Sequence, residues 1–390
     1  MSDRQSSGHA SSRRKFMIAS TAIGASALAG CTGGNGNGNG DSNGNGDGGE
    51  GGSGGSGSSG GTEDMFGDFD PDNPHESLPQ PTDVLFEHGF DVGSAQALAD
   101  FPDRDEPVYG NPVREVGPDE EYLDPDTIQF AFGQGEAAAS IYQDAMDPLV
   151  ENVEAETGRD VEFTVLDSAA ATVEAMRSDR LHVSTFNAGG VPYGVNISGA
   201  VPFGMLVKDG TFGYRLWVCA QREDDDIRSL DDLEGKTVAH AHETSNSGHL
   251  APMALLPEEG ITPGEDYEFE FSGGHDNSAR GVNVGDFDAG MIASSSYGDL
   301  VVGGGFDASQ LRCVWMSPPF ASQPSCYHYR LHPDIVEGVR AAHLEYDYSG
   351  TSIETETDQN EFVEFDYATH HHPVLLIHQA NDIEYEIGDL

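Results

Sequence analysis

Glu243-Thr244-Ser245-Asn246-Ser247-Gly248-His249-Leu250 stands between the strand-like run Thr237-Val238-Ala239-His240-Ala241 and the apolar run Ala251-Pro252-Met253-Ala254-Leu255-Leu256. Its hydroxyls and amide fall where a helix is capped, so the stretch reads as a strand, a donor-rich turn and a helix start. Backbone N–H groups and the positive end of the helix dipole converge at such a start. An anion of phosphate type could bind there without a bulky cationic side chain. The plainer reading of the same residues is a helix cap that binds water.

Outward from the turn, strands and helices keep alternating. Upstream, Thr127-Ile128-Gln129-Phe130-Ala131-Phe132 is a strand, followed by the turn Gly133-Gln134-Gly135-Glu136 and an amphipathic helix from about Ala137 to Thr157. A strand Val161 to Leu166, a helix Ala169 to Ser178 and a strand Leu181 to Phe186 come next. Tyr214 to Ala220 is a strand that leads through a short helix, Ser229 to Lys236, into the opening turn. Beyond it lie a strand Tyr267 to Ser272, a helix Asn277 to Val284 and a strand Ala289 to Ala293. Such alternation predicts an α/β fold with mostly parallel sheets flanked by helices, and roughly 260 residues of it predict two lobes. Ligands in open parallel sheets lie at the carboxyl ends of strands. The loops Gly133 to Glu136 and Asn187-Ala188-Gly189-Gly190, with Tyr193 just beyond, are therefore expected to face the turn.

The chain carries 68 acidic and 18 basic residues, a formal net charge of −50, and its lysines are Lys15, Lys208 and Lys236. So dense an acidic surface suits a protein kept soluble in very high salt, where self-repulsion is screened, and it argues against nucleic acid as a partner. A hydrophobic content of 37% and the periodic segments after residue 127 favour a folded chain over disorder.

Ser12-Arg13-Arg14-Lys15-Phe16-Met17-Ile18 is a twin-arginine signal, and Ala19 to Leu28 is an apolar run shorter than a bilayer span. Leu28-Ala29-Gly30-Cys31 resembles a lipobox. It implies cleavage before Cys31, a lipid on its sulfur, and a mature protein tethered outside the membrane; the alternative is an uncleaved signal anchor. Residues 32–62, rich in Gly, Asn, Ser and Asp, read as a disordered stalk, and 63–125 as an extension packed loosely on the domain.

Four segments in order carry a family resemblance: Ser229-Leu230-Asp231-Asp232-Leu233-Glu234-Gly235-Lys236-Thr237, then Ser245-Asn246-Ser247-Gly248, then Phe271-Ser272-Gly273-Gly274-His275-Asp276, then Gly285-Asp286-Phe287-Asp288-Ala289-Gly290. Over about Thr127 to Arg330 the chain resembles the phosphate/phosphite/phosphonate-binding proteins of ABC transporters, PhnD-like periplasmic binding proteins, here in a haloarchaeal-type lipoprotein. The resemblance implies a two-lobed fold of the second class, with lobe 1 at 126–219 and 325–390 and lobe 2 at 220–324. The first crossing between lobes is expected near Cys219-Ala220 and the return between Trp315 and Tyr327.

In that frame Ser245, Asn246 and Ser247 supply side-chain donors, and the N–H groups of Ser247, Gly248 and His249 converge on the oxyanion. His275 stands where the family has a ligand-contacting histidine. Gln134, Glu136, Asn187 and Tyr193 are expected from the facing lobe. Glu136 reads equally as an acceptor for a protonated ligand oxygen or amino group and as a first-turn acid favoured by the helix dipole. Strict register puts the family's aromatic hydroxyl on Val191, so Tyr193 is a near match, and Gln323 replaces a frequent aspartate.

The reading is a lipid-anchored, monomeric solute receptor that captures a phosphorus oxyanion and delivers it to an ABC permease, without catalysis, cofactor or metal. Rival readings are a periplasmic-type hydrolase using Ser247, His275 and Asp276, a metal-binding lipoprotein using His370-His371-His372, and a ligand-sensing subunit. No nucleophile elbow surrounds Ser247, and successive histidines point in different directions. Of Cys219, Cys313 and Cys326, the pair Cys219 and Cys326 is expected to lie near the crossings.

Overall fold

The computed structural model describes residues 78–90, 101–134, 136–207 and 212–386, excluding the side chains of 134 and 136–140. The signal, Cys31, the stalk, Gly135 and Lys208 lie outside the described residues. The strands are β1 (Gln80–Pro81), β2 (Thr127–Gln134), β3 (Asp160–Leu166), β4 (Val183–Thr185), β5 (Ala200–Val207), β6 (Leu216–Gln221), β7 (Thr237–His240), β8 (Glu268–Phe271), β9 (Ala289–Ala293), β10 (Leu311–Met316), β11 (Ser325–His328) and β12 (Glu361–Glu364).

They form two six-stranded sheets, β12-β5-β11-β4-β2-β3 and β1-β10-β6-β9-β7-β8. Both follow one pattern. In the first, β2 pairs in parallel with β3 and β4, while β11 pairs antiparallel with β4 and β5, and β12 antiparallel with β5. In the second, β7 pairs in parallel with β8 and β9, while β6 pairs antiparallel with β9 and β10, and β1 antiparallel with β10. The fold is therefore two-lobed α/β with mixed sheets. In each sheet the strand that has just crossed from the other lobe, β6 or β11, joins the parallel half to the antiparallel half.

Helices cover the sheets: α1 (Thr82–Glu87), α2 (Glu136–Ala145), α3 (Asp147–Thr157), α4 (Ala169–Arg177), α5 (Val191–Tyr193), α6 (Ala251–Leu255), α7 (His275–Val284), α8 (Ser294–Val302), α9 (Pro333–Leu344), α10 (Ser352–Thr357), α11 (Tyr367–His370) and α12 (His372–Ala380). The single helix expected over Ala137 to Thr157 is two. It breaks at Met146, and Pro148, which has no N–H to give, sits in the first turn of α3, where that N–H is not needed.

The chain leaves the first sheet after Val207 and enters the second at Leu216, so the crossing lies ahead of Cys219-Ala220, which are inside β6. The return falls between Met316 and Ser325. The two crossings touch. Tyr214 N–H donates to Phe320 O (3.0 Å) and Phe320 N–H to Tyr214 O (2.7 Å), an isolated antiparallel bridge. Leu216 N–H donates to Ser317 Oγ (2.9 Å), which extends the pairing.

Part of the extension belongs to the core. Leu85 of α1 is wholly buried, packed with Trp217 and Tyr297 under the second sheet, and Phe86 stacks on Tyr297 at 5.5 Å. Cys219 lies opposite Cys313 in the β6–β10 register, whereas Cys326 sits in the other sheet, so Cys219 and Cys326 are not the pair that the fold brings together. All three are buried free thiols. Helix α12 buries Val374 and Ile377 in the core of the second lobe.

Candidate ligand-binding site

The strand β7 is buried at Val238, Ala239 and His240, and its carboxyl end opens into the turn 243–248. Asn246–Leu250 then forms one π-helical turn that runs directly into α6. Ser245 caps it, since its Oγ accepts from Gly248 N–H (3.1 Å). A side chain at Gly248 would place Cβ 2.4 Å from Ala241 Cβ and 2.7 Å from Ser245 Oγ, so only glycine lets the turn fold back this closely on β7.

His275 opens α7 beside the turn. Its Nδ1 accepts from Ala293 N–H (3.1 Å), which leaves the proton of the neutral ring on Nε2, 3.2 Å from Ser245 Oγ. Burial, with His242 nearby, lowers the His275 pKa to about 4, so the ring is neutral at pH 7. Ser245 Oγ thus receives Gly248 N–H and His275 Nε2–H, and its own proton is left to donate. The hydroxyl rotor is turned toward giving, which is the polarity an oxyanion needs.

Asn246, 3% exposed, donates through Nδ2 to Tyr214 Oη (3.1 Å), and the Ser247 hydroxyl stands beside the same phenol. Burial raises the Tyr214 pKa to about 12, so the phenol stays protonated. The N–H groups of Asn246 and Ser247 make no hydrogen bond among the described residues. Those of Gly248 and His249 are committed, the latter to Ser245 O (3.0 Å), so the expected convergence narrows to Ser247 and its neighbour Asn246. The His249 ring points away from the turn. Its Nδ1 meets His240 Nδ1 at 2.9 Å and the ring packs on Phe269 and Phe271, with its pKa lowered by burial to about 4.

The facing loop is close. A Cβ on Gly189 would lie 2.3 Å from Thr244 O and 3.1 Å from Asn246 N, so the loops after β4 and β7 meet at this glycine. Asn187 shapes its own loop by accepting Gly190 N–H on Oδ1 (2.7 Å). His371 Nε2–H donates to Ala188 O (2.8 Å) from above. Tyr193, 2% exposed, turns into the first lobe's core against His378 and Tyr385 rather than toward the turn. Gln323 Nε2 donates to the Tyr142 hydroxyl (3.0 Å). The side chains of Gln134 and Glu136 lie outside the described residues, although β2 ends and α2 begins at these positions.

Two groups were not singled out from sequence: Tyr214, hidden in a strand-like run, and Tyr142, hidden in a helix face. A serine protease-like triad does not assemble, because His275 meets Ser245 rather than Ser247 and its Nδ1 is taken by Ala293 N–H rather than by Asp276.

Comparison with known proteins agrees with this architecture. The family model described as ABC transporter, phosphonate, periplasmic substrate-binding protein matches residues 137–370. The phosphate-import protein PhnD of Mycolicibacterium smegmatis is 31% identical over 227 residues, covering 55% of this chain and 70% of that protein. Among solved structures, PhnD1 of Prochlorococcus marinus in complex with methylphosphonate superposes with a TM-score of 0.57 at 16% identity, over 66% of this chain and 99% of that one. A binding protein component of an ABC phosphonate transporter from Pseudomonas aeruginosa gives 0.56 at 18% identity, over 66% and 86%. With two six-stranded mixed sheets, a donor-rich strand-turn-helix at the end of β7 and a family match over more than half its length, the chain belongs to the phosphonate-type periplasmic substrate-binding proteins of ABC transporters.

Proposed function

We propose that this protein is a lipid-anchored receptor, exported by the twin-arginine route and tethered through Cys31, that captures a phosphorus oxyanion for its ABC permease. The single observation behind the ligand class is Ser245. With both acceptor directions filled by Gly248 N–H and His275 Nε2–H, it presents a proton, and Ser247 with its unspent N–H presents more. Neutral donors at a helix start stabilise an anion without a counter-charge. Gly189, which closes against Thr244 O and Asn246 N, brings the loop of Asn187 to the turn, and we take this loop with Gln323 of the returning crossing as the side that meets the ligand's fourth substituent. The relatives that import phosphate or hold methylphosphonate support this choice of ligand class.

Receptor action then needs two lobes, a closure over the ligand and release to the permease, without bond chemistry. Calorimetric titration in molar salt with phosphate, phosphite, methylphosphonate and aminoethylphosphonate tests it. Heat with at least one is expected, and silence with all four would overturn the proposal.

A further inference from the structure

We infer that Tyr214 is a positioning residue that ties the crossing between the lobes to the anion-binding turn, an inference that rests on the receptor reading above. Its backbone and its side chain do two different jobs. The backbone makes both hydrogen bonds of the bridge to Phe320, the point where the outgoing and returning crossings are joined. The ring packs on Phe320 at 5.8 Å. The preceding Gly213 has φ +77°, and a Cβ there would meet Phe320 O at 2.1 Å, so the two crossings approach as closely as a glycine allows.

The hydroxyl of the same residue reaches the turn. It accepts from Asn246 Nδ2, with Ser247 on its other side, in a site where Tyr214 is 8% exposed and Asn246 3%. A buried amide held by one phenol has few other ways to satisfy that donor, so the bond fixes which way Asn246 faces. A change in the crossing that moves Tyr214 therefore moves a residue of the turn, and a ligand that orders the turn favours one arrangement of the crossing. Arg215 N–H donates to Ser294 Oγ (3.0 Å), which holds the crossing to the end of β9, the strand beside β7.

The test uses Tyr214→Phe, which keeps the ring and removes the hydroxyl, together with Asn246→Ala and the double variant. Binding of phosphate and methylphosphonate is read by calorimetry, and release by stopped flow using Trp217 and Trp315, the protein's two tryptophans, which lie on the strands at either crossing. Y214F is expected to raise Kd roughly three- to tenfold, through faster release, and to lower the melting temperature of the ligand-free protein as well, because the buried Asn246 amide loses its acceptor. In the Asn246→Ala background the same change should have no further effect, a non-additivity that a purely structural tyrosine would not produce. Should Y214F fold poorly, N246A alone must show the faster release. Unchanged binding by Y214F, or additive losses in the double variant, would overturn the inference while leaving the receptor reading intact. A wild-type protein that binds neither anion would overturn both.

Discussion

Ser245 Oγ takes Gly248 N–H as a helix cap and His275 Nε2–H as a neighbour, so its removal has two separable effects. Ser245→Ala should cost about 1 kcal/mol of stability from the lost cap, seen in denaturant melts. On the proposed function, in which each hydroxyl donates to a charged oxygen, Ser245→Ala combined with Ser247→Ala should weaken oxyanion binding by about 3 kcal/mol, and calorimetry with unchanged affinity would place the ligand elsewhere. At this scale the sequence was legible where a residue's role follows from its neighbours in the chain: a serine before a helix caps it. His275 and His249 could not be told apart in that way. One meets Ser245 and the other His240 because β7, β8 and α7 come together in space, and spacing along the chain does not encode that meeting.

Between elements, two glycines decide how closely loops approach. Gly189→Ala leaves the backbone unstrained but drives Cβ against Thr244 O, so the loops after β4 and β7 must part. Ligand affinity should fall by about tenfold or more while the ligand-free melting temperature holds, and small-angle scattering should show a more open molecule. Gly248→Ala collides with Ala241 Cβ inside one lobe, so it should destabilise by about 1–3 kcal/mol as well as abolish binding, measured by melting and titration. The strands and helices read from Thr127 to Val165 and from Tyr214 to Ala293 were legible because their buried positions recur at strand or helix period. Others, β5, β10, β11 and β12 among them, were not read, and two cases show why. The break at Met146 depends on where Pro148 falls relative to a helix start, and β1 is two residues, Gln80–Pro81, whose strand character exists only against β10.

Across the whole molecule, buried histidines make acid stability a collective property. His240, His249, His275, His328, His343, His371 and His378 are all pushed down by burial, to between about 3 and about 4. In the unfolded chain such rings titrate near 6.5, so between pH 6.5 and 4 the unfolded state binds more protons. Stability is then full above 6.5 and is lost as the pH falls toward 4. The melting temperature in molar salt should drop on the order of 10 °C between pH 7 and 5, and a flat profile would contradict this account. Molar salt matters because 68 carboxylates repel one another without it, so at pH 7 dilution of the salt alone should also lower the melting temperature. Two lobes were legible from the long alternation of strands and helices. The final helix was not, because Val374 and Ile377 are buried by the second lobe, more than a hundred residues upstream in the chain. That helix sets an order of events in synthesis. Lobe 2 has all its strands once Met316 has emerged, but β5 of lobe 1 waits between β11 and β12 for residues up to Glu364. Asn381 Nδ2, on Leu250 O at the end of the turn after β7, and His371, on Ala188 O, come later still. The contacts that brace the turn and its facing loop are therefore among the last that a ribosome can supply, and a nascent chain stalled before residue 371 should hold a folded lobe 2 without a finished receptor.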